Sequence, residues 1–93
     1  MKKVDKKYFP VVIHYSFDSG VPVFLCETEE EAKKLLKELF DEEVQIETEE
    51  CEHVIGEDME IDVSDDGMWA SITIYYDCEK DVTEWAIGSV YND

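Results

Sequence analysis

Two short stretches of the chain hold residue types that chemistry uses. Asp62-Val63-Ser64-Asp65-Asp66-Gly67 places oxygen ligands at positions one, three and five and glycine at six, as an EF-hand calcium loop does. Position twelve of such a loop would be Thr73 rather than glutamate, and neither flank reads as helix, so a tight turn with solvated carboxylates is expected. Cys51 and His53 pair a nucleophile with a base, but nothing in the sequence orients the imidazole. A zinc site would add His14, yet the paired C-x2–4-C half-sites are missing. G-x-S-x-G, P-loop, dinucleotide and H-E-x-x-H signatures are all absent. With 25 acidic residues, some carboxylate pair would suit acid–base work in any fold, so none is singled out. The expectation is a protein that is not an enzyme, with no catalytic residue, no metal ligand and no cofactor.

Charge is the unusual property. The 93 residues carry 25 acids against eight lysines and no arginine, a formal −17. Lysines fall at 2, 3, 6, 7, 33, 34, 37 and 80; from Glu38 to Glu79 there are 16 acids and no lysine or arginine. Such a chain repels itself, stays in solution, and offers no basic face for direct binding to nucleic-acid phosphates. Its hydrophobic fraction of 44% suits a single globular domain over 1–93, with 1–7 a frayed polar lead-in. The longest apolar runs are too short to cross a membrane. MKKVDKKYFPVVIHYSF opens like a leader, but His14, Ser16 and Asp18 interrupt it. Three widely spaced cysteines, Cys26, Cys51 and Cys78, suit a reducing compartment, so cytoplasmic residence is the expectation.

The elements that position these residues centre on Thr28–Phe40. Thr28 caps, Glu31 stands at the capping-box position, and Ala32, Leu35, Leu36, Leu39 and Phe40 form one apolar stripe. Asp41-Glu42-Glu43 opposes the macrodipole and predicts a stop before Val44. Alternation predicts strands over Tyr8–Phe17, Val21–Cys26, Val44–Glu49, Met59–Ser64 and Met68–Tyr76. Asp18-Ser19-Gly20 and Asp65-Asp66-Gly67 are the turn signals, and Pro22 belongs at a strand's start or on an edge. Residues 50–58 read as a loop that tucks Val54 or Ile55 against the core. Val82–Tyr91 reads as a strand, with a helix capped by Asp81 as the competing reading.

The fold class expected is therefore α+β: a single mostly antiparallel sheet with one amphipathic helix on one face, in the order β-β-α-β-β-β-β. The helix stripe should meet Val11, Ile13 and Tyr15 together with Ile72 and Ile74. The opposite sheet face should carry Thr73, Tyr75 and one tryptophan. The function expected is a small acidic protein-interaction module. Its candidate contact residues are Glu47, Glu49, Glu60, Asp62, Asp65, Asp66, Trp69 and Tyr75. One variant of this reading is a nucleic-acid mimic that inhibits a basic DNA- or RNA-binding protein, since alternate strand residues and alternate phosphates both recur at about 7 Å. Another is an accessory domain, or a homodimer, formed through the aromatic sheet face.

Overall fold

The Thr28 hydroxyl accepts the Glu31 N–H at 3.1 Å and starts α1, Glu29–Gln45, with Glu29, Glu30 and Glu31 in its first turn. The computed structural model describes residues 6–16, 22–88 and 90–92. The expected turn at Asp18-Ser19-Gly20 and the expected strand start at Val21 lie outside them.

Six strands accompany α1: β1 Lys6–Tyr15, β2 Val23–Cys26, β3 Met59–Val63, β4 Trp69–Tyr75, β5 Lys80–Ile87 and β6 Val90–Asn92. Five build one sheet in the order β2-β1-β5-β4-β3, antiparallel throughout. β6 continues the line of β5 along β1, with Val11 opposite Ile87 and Tyr8 opposite Val90. At Gly88 the ladder is one-sided. Gly88 N–H donates to the Pro10 carbonyl at 3.2 Å, but proline has no N–H to return. The segment expected as strand over Val82–Tyr91, with helix as the competing reading, is strand through Ile87 and again from Val90. β1 begins at Lys6, inside the stretch expected to fray.

Alternation sorts the side chains as expected. Val11 and Ile13 of β1, Ala70, Ile72 and Ile74 of β4, Trp85 of β5 and Met59 of β3 are buried against Ala32, Leu36 and Phe40 of α1. Phe40 meets Trp85 edge to face, ring centroids 5.5 Å apart. Leu35 and Leu39 flank this core half-buried.

One expected strand is not there. Val44–Glu49, with the candidates Glu47 and Glu49, is helical: α1 runs through Gln45 and widens into a π-helical segment, Ile46–Glu50. Alternation over so few residues also fits a helix, and Val44 sits one turn beyond Phe40, packed against the core. Gln45 Nε2 donates to Glu49 Oε2 at 2.9 Å across one turn. The Thr48 hydroxyl donates back to the Val44 carbonyl at 2.8 Å, competing with the backbone ladder, and Cys51 N–H reaches the Ile46 carbonyl. These contacts outweigh the three acids that were expected to end the helix. The loop expectation also needs correction, because Val54 and Ile55 are 49% and 48% exposed. Met59, fully buried, closes the core there instead.

Candidate interaction surface

The carboxylates gather in two zones on different elements. The first is the end of the helical unit. From Glu38 to Glu52 it carries eight acids and no lysine, and its chain reversal sits at Glu52, whose φ of 60° is a left-handed conformation that glycine or asparagine usually fills. There His53 N–H donates to the Glu47 carbonyl at 2.9 Å. The His53 ring lies between two carboxylates, Nδ1 2.7 Å from Asp58 Oδ2 and Nε2 3.5 Å from Glu47 Oε2, and meets the Tyr76 ring nearly at right angles, centroids 6.2 Å apart. A carboxylate accepts, so Nδ1 carries its hydrogen. Asp58 also accepts the Val54 N–H at 2.7 Å. These two bonds hold its carboxyl below the ordinary range.

Asp58 is thus the orienter that sequence reasoning found missing for His53; the signal for it, a carboxylate five residues on, is too common to stand out. The arrangement still does not assemble a nucleophile and base. The second ring nitrogen faces Glu47, and the Cys51 thiol is pushed up by partial desolvation and then by Glu47, Glu50 and Glu43, away from the reactive thiolate. Glu43 is pushed up as well, by burial, by sharing a hydrogen bond with Glu47, and by the charges of Glu47, Glu42 and Asp81.

The second zone is the sheet face away from α1. The strand registers lay out its rows: Val23–Val12–Ala86–Trp69, then His14–Glu84–Ser71–Asp62, then Val82–Thr73–Glu60. Trp69 lies here and Trp85 in the core, so the face does carry one tryptophan. It is not a plain apolar patch. Trp69 Nε1 donates to Glu84 Oε2 at 3.1 Å and the Tyr75 hydroxyl to Glu60 Oε2 at 3.0 Å. Of the candidate residues, the fold brings Glu60, Asp62, Trp69 and Tyr75 together here. Glu47 and Glu49 belong to the helical zone.

Asp65 and Asp66 form the β3–β4 turn. Asp66 Oδ1 accepts from the Ser64 hydroxyl at 2.8 Å and from Met68 N–H at 3.0 Å, Gly67 N–H closes on the Ser64 carbonyl, and Gly67 takes φ 74°. Those bonds hold Asp66 below the ordinary carboxylate range, so its carboxylate serves the turn. Among the described residues no group of three or more His, Cys, Asp or Glu is placed to hold a metal. No described helix is long and apolar enough to cross a membrane. Comparison with protein families, with curated proteins and with solved structures finds no match to this chain.

Proposed function

We propose that this protein is a non-enzymatic interaction module whose acidic surface receives a basic protein partner. The observation that carries the reading is the crowding at the end of the helical unit, where eight acids and no lysine lie from Glu38 to Glu52. Glu43, pushed up first by burial, shares a hydrogen bond there with Glu47 beside Glu42 and Asp81. Concentrating like charge this way costs stability, and a cationic partner relieves that cost on binding. The open sheet face suits the same partner. Aromatic rings hydrogen-bonded to carboxylates, as in Trp69–Glu84 and Tyr75–Glu60, present both a ring face and a counter-charge to lysine or arginine. A field of this sign and extent speeds encounter with a basic surface and weakens with salt. Inhibition by nucleic-acid mimicry is a special case, in which the partner's site is a phosphate-binding one.

The test is capture on the immobilised protein at low and high salt, beside a variant with Glu47, Glu49, Glu60 and Asp62 changed to their amides. Basic proteins retained at low salt, released at about 0.5 M salt as screening requires, and retained at least tenfold less by the variant are the expected result. Purified nucleic acid competing for the same protein would identify the mimic case. Equal retention by both proteins, or a salt-insensitive complex, would remove the reading.

A further inference from the structure

We infer that the outer edge of β3 at Ile61 and Val63 is the docking site, and that it takes an extended segment alternating apolar with basic residues. This rests on the acidic-surface reading above and adds to it the mode of contact. Ser64 N–H donates to the Trp69 carbonyl, and Tyr75 N–H to the Asp58 carbonyl, so the even-numbered residues of β3 face β4. Ile61 and Val63 therefore turn their N–H and C=O groups outward, where the sheet order ends. The loop before β3 already meets Met59 on this side, Gly56 N–H donating to the Met59 carbonyl at 2.8 Å. Among the described residues no strand pairs with Ile61 and Val63 there, and an edge of this kind is a template for one more strand.

The two faces of that edge differ, and the difference selects the occupant. On the helix side, Ile61 and Val63 are 39% and 49% exposed because α1 does not reach across them. Val63 borders an apolar groove of about 270 Å³ that Leu36, Phe40 and Ala70 also line, together with Lys33, Lys37 and Asp41. On the other side Glu60 and Asp62 stand in line, with Tyr75 bonded to Glu60. A strand added here points alternate side chains at the groove and at the carboxylates. Apolar residues fit the first and lysine or arginine the second.

A second copy of the chain fits poorly. Antiparallel pairing of β3 about Ile61 would set Glu60 opposite the other copy's Asp62, like charge against like. The other sheet edge, β2, selects less, since Val-Phe-Leu-Cys carries no charge on either face.

The probe is a capped seven-residue peptide alternating valine and lysine. One control has the same composition in blocks, and another alternates valine and glutamate. The alternating lysine peptide is expected to bind at least about tenfold more tightly than either. Amide exchange at Ile61 and Val63 should slow on binding, a measurement that needs no variant. Ile61→Pro deletes one outward N–H while keeping every charge and the β4 ladder, and should weaken binding about tenfold through faster dissociation. Val63→Lys should weaken it similarly and serves if Ile61→Pro folds poorly.

Unchanged exchange at Ile61 and Val63, or undiminished binding by both variants, would overturn the edge mode. If the amide variant still lost binding in that case, the acidic-surface reading would survive alone; if it did not, both would fall. Self-association abolished by Ile61→Pro would place a second copy on the edge and overturn the proposal.

Discussion

From Thr28 to Phe40 the helix is capped by a hydroxyl, opens on three glutamates at its positive end, and buries Ala32, Leu36 and Phe40 in one stripe. From Asp41 to Glu52 the same helical unit has acids at its negative end, a hydroxyl bonded back into the ladder, a π-helical turn and a left-handed glutamate. The first half follows the rules for a stable helix. The second departs from several of them at once, over a few residues, and does so where the carboxylates are densest. Departures that cluster this way mark the part of a protein shaped by something other than its own stability. That concentration is the ground for proposing that the acidic surface draws a partner in.

Substitutions should separate the two halves by size and by sign. Leu36→Ala in the packed half should cost about 2–4 kcal/mol, the range for a buried leucine in a core that relaxes only partly. Denaturant titration checks this, and a loss below about 1 kcal/mol would mean that the stripe does not hold the fold. In the acidic half the sign should reverse. Glu52→Gly relieves the left-handed backbone and removes one charge, so a gain of about 0.5–1 kcal/mol is expected. Glu43→Gln keeps the bond to Glu47 without the repulsion and should gain roughly 0.2–0.5 kcal/mol, the scale of a like-charge pair one turn apart. A loss of stability in both would show that the second half is no more frustrated than the first.

The pH dependence should show the same division with a smaller effect. Glu43 titrates above its ordinary value in the fold, so the fold binds its proton more readily than the unfolded chain does. Stability should therefore rise as the pH falls from neutral toward the carboxylate range. Asp58 and Asp66 titrate below theirs, and their contribution is lost only at more acidic pH, through their lowered values. The melting temperature should accordingly peak at mildly acidic pH and rise with added salt at neutral pH. A peak at neutral pH, with no response to salt, would mean the acids are too dispersed to interact.

Most of the packed half was legible in the sequence. Capping by Thr28, the Ala32–Phe40 stripe, the split of the two tryptophans between faces, and the alternation of β3 and β4 all follow from side-chain period and turn chemistry. The acidic half was not, and the reason is local. Val44, Ile46 and Thr48 alternate like a strand, while what holds them helical is Val44 against the core and Thr48 bonded to the Val44 carbonyl. Neither contact shows in a pattern of apolar and polar letters. For the candidate surface, strand alternation put Thr73, Tyr75 and one tryptophan on the face away from the helix, and the strand register adds Glu60 and Asp62 beside them. Asp58 and Glu43 were missed because their roles depend on partners brought in by the loop and by the helical turn.

The measurement that bears most directly on the acidic surface is the association rate of the alternating valine–lysine peptide across ionic strength. It compares the protein with a variant in which Glu38, Glu42, Glu47, Glu49 and Glu50 become glutamine, all outside β3. If the helical zone supplies the field that draws a basic partner to the β3 edge, the variant should associate several-fold to about tenfold more slowly at low salt. Dissociation should be nearly unchanged, and the two rates should converge near 0.5 M salt. Equal association rates at every salt concentration would contradict a functional role for that charge and leave it as an aid to solubility alone.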